Sequence, residues 1–184
     1  MKAAGCVARF AGSLLVACVA LADGALEAGR PPEWGISAGY GIPAHLGPGD
    51  SDEHPVVVSP SVGFRLSSRL EWLTSATFER YVSPGAYFVG ILPGGLRWTF
   101  LDGPWRPYAA LGLGVGWTDL VDAIPEINRR FNFRIEGAAG IRRQVTATSG
   151  WTFEVRYQHT SNAGTVPPNY GLNSFAFLGG WRFR

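Results

Sequence analysis

A histidine and a serine two residues apart are the best candidates in this chain for acyl-transfer chemistry. His159 and Ser161 close a segment in which apolar and polar residues alternate. On a β-strand, residues two apart lie on the same face with Cα atoms roughly 6.5–7 Å apart, so their side chains can meet. Serine is a weak nucleophile until a base removes its proton, and histidine is a common base. A His-x-Ser pair is frequent on strands, so the neighbouring residues must decide its meaning.

A nucleophile and a base need two further kinds of group. A third residue must hold the imidazole in the useful tautomer, and hydrogen-bond donors must face the oxyanion of the reacting ester. Asn173 is predicted to lie on the same face of the next antiparallel strand, at the same end as the pair. Asn162 and Asn169 are candidate oxyanion donors, together with the backbone N–H groups around Ala163-Gly164.

Eight segments with strand-like alternation are predicted to position these residues. They are Trp34–Pro43, Pro55–Leu66, Leu70–Tyr81, Ala86–Leu101, Pro107–Thr118, Phe131–Val145, Trp151–Ser161 and Gly171–Phe183. Most have about 10 residues or more, as tilted membrane strands require, whereas strands in soluble proteins average about 5–6. Short connections alternate with long ones, as turns and external loops do in outer-membrane barrels. The sequence therefore predicts an all-β fold, an eight-stranded antiparallel transmembrane β-barrel.

The alternation also predicts which residues face lipid. In the seventh segment Phe153, Val155 and Tyr157 share one face, and Glu154 and Arg156 share the other. A secreted β-sandwich would bury the apolar face, whereas a membrane barrel turns it to lipid and fills its narrow interior with the polar set. Strand length and loop asymmetry favour the barrel. The candidate pair continues the apolar set, which predicts that it faces the lipid near the external end.

The composition and the N-terminus are typical of an exported, strand-rich protein. Charged residues make up 16%, aromatic residues 13%, and 25 of the 184 residues are glycine. Residues 1–22 are predicted to be a signal peptide, because Lys2 and Arg9 accompany an apolar run that ends at a small-x-small cleavage site. Residues 23–184 would then form the barrel. A lipoprotein processing site at Cys18 is the alternative.

Several classes of function are excluded by residue counts. The cysteines, Cys6 and Cys18, both lie in the predicted signal, which excludes disulfides and cysteine-ligated metals from the mature chain. Removal of Lys2 and Arg9 leaves as many basic as acidic residues, so no basic patch predicts a nucleic acid as a partner. We expect no metal site and no cofactor.

The C-terminal motif adds a family resemblance. The motif is His159-Thr160-Ser161-Asn162-Ala163-Gly164, followed by Pro168-Asn169-Tyr170-Gly171-Leu172-Asn173. It resembles the lipid A 3-O-deacylase family, also called acyloxyacyl hydrolases. The resemblance implies an outer-membrane β-barrel enzyme that removes the ester-linked acyl chain at position 3 of lipid A, without a cofactor. It also implies that His159 is the base, Ser161 the nucleophile and Asn169 a residue of the oxyanion hole.

One position departs from the family pattern, in which a glutamate stands where this chain has Asn173. An asparagine carbonyl can orient a histidine, as in Cys-His-Asn proteases, but it supplies no full negative charge. The loop acids Asp119, Asp122 and Glu126 are therefore alternative third members. The departure keeps two other functions open, a non-enzymatic outer-membrane barrel and a barrel that transfers the acyl chain to a second lipid. The sequence does not predict an oligomeric state.

Overall fold

A computed structural model describes residues 31–46, 52–167 and 169–184 of the chain. Eight antiparallel strands form a closed barrel in which neighbours in sequence pair and β1 closes against β8. The strands are β1 Glu33–Pro43, β2 Pro55–Arg65, β3 Leu70–Tyr81, β4 Tyr87–Thr99, β5 Trp105–Thr118, β6 Phe131–Gln144, β7 Ser149–Ser161 and β8 Leu172–Phe183. The predicted barrel is confirmed, with every strand end within two residues of its prediction. The predicted signal peptide and the alternative at Cys18 lie outside the described residues.

The two faces of the barrel have the polarity that the alternation predicts. On the outer face Leu111 is 72% exposed and Phe153 is 59% exposed. Thr77, Arg134 and Gln158 are buried inside. Apolar side chains outside and polar side chains inside are the arrangement of an outer-membrane barrel. Closure of the sheet also gives every strand a hydrogen-bonded neighbour on both sides, so no open edge faces the hydrocarbon.

Ion pairs fill the interior of the barrel. Arg97 donates to Glu71 Oε2 at 3.1 Å. Nearer to the end where β7 finishes, Arg134 Nη2 lies 2.9 Å from Glu79 Oε2, and Gln158 donates to the other oxygen of Glu79 at 3.0 Å. Buried charges are tolerated when they are paired and hydrogen-bonded. These charges therefore serve the structure of the barrel rather than an internal reaction centre.

The connection between β5 and β6 folds into the external mouth of the barrel. Its side chains join a buried apolar cluster, the mouth cluster, whose members are Tyr81, Ala86, Phe88, Leu120, Ile124, Ile127 and Leu172. Leu172 is the first residue of β8, so the cluster fixes this loop against the strand that carries Asn173. A 3-10 turn spans Leu120–Asp122 in this loop. Among the residues that the structure describes, no helix has the length and apolar character of a membrane span.

Candidate active site

Strands β7 and β8 bring the predicted nucleophile, base and third residue together. The antiparallel register places Asn173 directly opposite His159, and all three side chains belong to the outward-facing set. His159 Nε2 lies 3.0 Å from Ser161 Oγ, and His159 Nδ1 lies 2.8 Å from Asn173 Oδ1. A chain of hydrogen bonds thus runs from Asn173 through His159 to Ser161, which is the arrangement of a catalytic triad.

The order of these bonds assigns a role to each nitrogen of the imidazole. Asn173 Oδ1 can only accept a hydrogen bond, so His159 Nδ1 carries the ring proton. His159 Nε2 then presents a lone pair to the hydroxyl proton of Ser161. This is the tautomer that a general base needs. The arrangement can therefore deprotonate Ser161 as the serine attacks an ester.

Asn173 Oδ1 also accepts a second hydrogen bond. Tyr157 lies two residues before His159 on the same face of β7, and its hydroxyl donates to Asn173 Oδ1 at 2.6 Å. Its ring packs against Phe175 of β8, with the ring centroids 5.5 Å apart. In the sequence, alternation assigns Tyr157 only to the lipid-facing apolar set. The shared face was the signal that a polar atom of this residue could reach the site.

Gly171 makes room for the imidazole at the start of β8. Its φ of +73° lies in the left-handed region that favours glycine. A Cβ at this position would lie 2.7 Å from His159 Cε1 and 3.1 Å from Ser161 Cβ. A larger residue would therefore push the ring away from Ser161. In the sequence, Gly171 indicates only a turn.

The two asparagines predicted to assist the oxyanion have different bonding. Asn169 Oδ1 accepts a hydrogen bond from the backbone N–H of Asn162 at 3.1 Å, which leaves the NH2 group of Asn169 on the opposite side of its amide. Asn162 Nδ2 donates to Asn128 Oδ1 and to the carbonyl of Val166 at 2.8 Å. Asn162 therefore ties the β7–β8 loop to the β5–β6 loop. Asn169 is exposed, so its amide is the better placed of the two to donate to a substrate.

The three loop acids make other contacts. Asp119 accepts a hydrogen bond from the first backbone N–H of β4 at 2.6 Å, and Asp122 pairs with Arg130 at 2.6 Å. Glu126 is buried, and its backbone carbonyl accepts a hydrogen bond from the backbone of the β7–β8 connection. The partner of the imidazole Nδ1 is Asn173.

An apolar strip of β6 borders the site on the outer surface. Phe133 lies opposite Ser161 and Ile135 lies opposite His159, and both apolar side chains are exposed to the surroundings of the barrel. A lipid acyl chain that runs along this strip can therefore bring its ester to the serine from the side. Within residues 31–46, 52–167 and 169–184, no three or more His, Cys, Asp or Glu side chains are grouped to hold a metal ion.

A comparison with protein families finds a relationship that includes the whole site. The model described as "Lipid A 3-O-deacylase (PagL)" matches residues 59–182. This range is about two thirds of the chain and contains each candidate residue of the site. A search of curated proteins finds no match.

Solved structures similar to this chain include an outer-membrane enzyme, a surface protein and an outer-membrane protein. The outer membrane enzyme PagL has a TM-score of 0.66 at 20% identity, over 79% of this chain and 97% of that one. Neisserial surface protein A has a TM-score of 0.60 at 16% identity, over 83% and 94%. The protein OprG from Pseudomonas aeruginosa has a TM-score of 0.52 at 11% identity, over 84% and 97%. At these identities the likeness shows a shared fold.

Proposed function

Because the chain belongs to the lipid A 3-O-deacylase family, we propose that it cleaves the 3-O-linked acyl chain of lipid A with Ser161 as the nucleophile. It is an outer-membrane β-barrel enzyme, an ester hydrolase that deacylates the lipid A part of lipopolysaccharide. One observation carries the assignment of the residues, the hydrogen-bond chain Asn173–His159–Ser161 on the outer face of the barrel.

The position of these hydrogen-bonded residues on the outer wall supports a substrate that stays in the membrane. Polar groups that face hydrocarbon are costly unless they bond to one another or act on a ligand. His159 and Ser161 lie at the end of β7 beside the apolar strip of β6. Lipid A of the outer leaflet approaches laterally, lays an acyl chain along that strip and presents its ester to Ser161. This route does not pass through the barrel interior, where Arg97 pairs with Glu71 and Arg134 pairs with Glu79.

In the acylation step Ser161 Oγ attacks the ester carbonyl carbon while His159 Nε2 takes the hydroxyl proton. The carbonyl oxygen becomes an oxyanion, and we assign the NH2 group of Asn169 as a donor to it. When the tetrahedral intermediate collapses, the bond to the sugar oxygen breaks. The protonated His159 gives its proton to that oxygen, which leaves as a hydroxyl group of the lipid. The acyl chain is then bound to Ser161 as an ester.

In the deacylation step a water molecule replaces the sugar oxygen. His159 Nε2 takes a proton from the water as it attacks the acyl carbonyl, and a second tetrahedral intermediate forms. Its collapse breaks the bond to Ser161 Oγ, which regains the proton from His159. A fatty acid leaves, and no cofactor is consumed. If a hydroxyl group of a second lipid took the place of the water, the same site would be an acyltransferase.

The test is mass spectrometry of lipid A from a host that expresses the wild type, Ser161→Ala or His159→Ala. We expect the wild type alone to remove one hydroxyacyl chain, and each variant to lose about 10⁴-fold or more in rate. Ser149→Ala is the matched control, because Ser149 lies at the opposite end of the same strand. It should deacylate lipid A as the wild type does.

The same samples separate the rival functions. Appearance of the released chain on a second lipid would identify an acyltransferase. If the wild-type barrel is folded in the outer membrane and the lipid A profile does not change, the result would favour a non-enzymatic barrel. Full activity in Ser161→Ala would refute the assignment of the nucleophile.

A further inference from the structure

An asparagine as the third member of a triad creates a problem of orientation. Its amide carries an oxygen and an NH2 group of nearly equal size, and each can face the imidazole. With the NH2 group toward His159 Nδ1, the ring proton would move to Nε2, and Ser161 would lose its base. In serine proteases, an asparagine in place of the triad's aspartate lowers kcat about 10⁴-fold because the histidine adopts the wrong tautomer. An active site with Asn173 therefore needs a group that selects the orientation of the amide.

We propose that Tyr157 is this positioning residue, an inference that rests on the proposed function. Its hydroxyl donates to Asn173 Oδ1 at 2.6 Å, on the oxygen that also faces His159 Nδ1 at 2.8 Å. A carbonyl oxygen has two lone pairs, and these two donors fill both. In the opposite orientation the Tyr157 hydroxyl would have to accept from an N–H group, and a phenol oxygen is a poorer acceptor than donor because the ring withdraws its lone-pair density.

The surroundings of Tyr157 keep its hydroxyl at this place. Tyr157 lies opposite Phe175 in the register of β7 and β8, so Asn173 is its diagonal neighbour. An aromatic side chain reaches the diagonal position of an antiparallel pair, and the tilted packing on Phe175 fixes the ring. A hydroxyl on the lipid-facing wall loses a large part of its hydration, so an unbonded orientation costs free energy. Tyr157 and Asn173 thus restrain each other.

A carboxylate at position 173 would not need a group that selects its orientation. Its two oxygens are equivalent acceptors, so neither orientation is wrong for His159 Nδ1. Tyr157 should consequently matter with asparagine at position 173 and matter little with the isosteric aspartate. A tyrosine that only packs against its neighbours would instead make the same contribution with either residue.

The experiment compares four barrels in mixed micelles with lipid A: wild type, Tyr157→Phe, Asn173→Asp and the double variant. The readout is kcat for release of fatty acid. We expect Tyr157→Phe to lower kcat about 10-fold in the Asn173 background, the value of roughly one hydrogen bond. In the Asn173→Asp background it should lower kcat less than about 2-fold, because either carboxylate oxygen can accept from His159 Nδ1. Tyr40→Phe removes a hydroxyl from β1, where the ring stacks on His54, and should leave kcat unchanged.

The ¹⁵N resonances of the imidazole report the tautomer directly. The chain has three histidines, and the spectrum of a His159→Gln variant assigns the signals of His159. We expect the Nδ1–H tautomer in the wild type, a shift toward Nε2–H in Tyr157→Phe, and no shift in the double variant. Equal losses of kcat in both backgrounds, or an unchanged tautomer in Tyr157→Phe, would overturn the proposal. If the wild type shows no Ser161-dependent hydrolysis, the proposed function fails, and the tautomer populations still decide the role of Tyr157.

Discussion

The imidazole of His159 is held by close neighbours on three sides. Asn173 binds Nδ1, Ser161 lies at Nε2, and Gly171 lies so near to Cε1 that an added Cβ would lie 2.7 Å from it. Catalysis by a base requires reacting atoms within a few tenths of an ångström of their productive positions, because misplacement by about 1 Å can cost 10²-fold in rate. Each of these contacts therefore bears on activity more than on stability.

Gly171→Ala is expected to lower kcat about 10²-fold because the added Cβ would displace the ring of His159. The measurement is kcat in micelles, together with the free energy of unfolding. Gly103→Ala is the matched control, since Gly103 also has a positive φ, of +115°, but its Cβ would meet nothing within 4 Å. That variant should lose some stability from backbone strain and keep its kcat. Wild-type kcat in Gly171→Ala would show that the ring tolerates the added atom.

At the scale of elements, two loops hold the end of β7 in place. The β5–β6 loop is anchored by the mouth cluster, and two of its residues contact the β7–β8 loop. Asn128 accepts from the side chain of Asn162, and the backbone carbonyl of Glu126 accepts from the N–H of Gly171 at 3.3 Å. Burial of apolar residues in the mouth thus supports a site on the outer wall.

Ile127→Ala should weaken this support. Ile127 lies between Glu126 and Asn128 in sequence and is buried in the mouth cluster. Truncation of such a buried side chain lowers the free energy of unfolding by about 2–5 kcal/mol. We expect faster hydrogen exchange of the β5–β6 loop and a lower kcat in the folded barrel. Val145→Ala serves as the control, because Val145 is exposed in the β6–β7 turn at the other end. A faster-exchanging loop with unchanged kcat would mean that the mouth cluster stabilises the loop without positioning the site.

The strands, and the shared face of His159, Ser161 and Asn173, are predictable from the sequence for one physical reason. A period of two fixes the face of every residue on a strand, so the sequence alone assigns His159, Ser161 and Asn173 to one wall of the barrel. The role of Tyr157 depends on a diagonal contact between side chains, and that of Gly171 on the path of a loop. Alternation specifies neither. The sequence does not predict the mouth cluster for the same reason, because the residues of an irregular loop follow no fixed period.

At the scale of the whole molecule, the interior of the barrel contains buried ion pairs that are costly to break. Arg134 is 2% exposed, and its main partner is Glu79, which Gln158 and Tyr81 also contact. Arg134 donates in turn to Thr160 at 2.9 Å. Thr160 lies between the proposed base and nucleophile, so the interior pair also anchors the strand of the site from behind.

Glu79→Gln is expected to lower the free energy of unfolding by about 3–5 kcal/mol because it leaves the Arg134 charge buried without its carboxylate. Urea unfolding of the barrel in lipid vesicles measures this change. Asp102→Asn is the control, since Asp102 pairs with Arg69 at 3.8 Å on the exposed surface, and such pairs contribute about 0–1 kcal/mol. Equal effects of the two variants would show that water reaches the interior pair.

The location of Asn173 on the last strand has a consequence for when the enzyme can act. The proposed triad needs β7 and β8 side by side, and β8 also completes the cylinder by pairing with β1. A lone two-stranded hairpin is at best marginally stable in water, so a chain in transit to its membrane cannot keep the triad assembled. Hydrolysis should begin only once the cylinder has closed around its circumference. The order of assembly thereby protects lipid A that the chain meets before it reaches its destination.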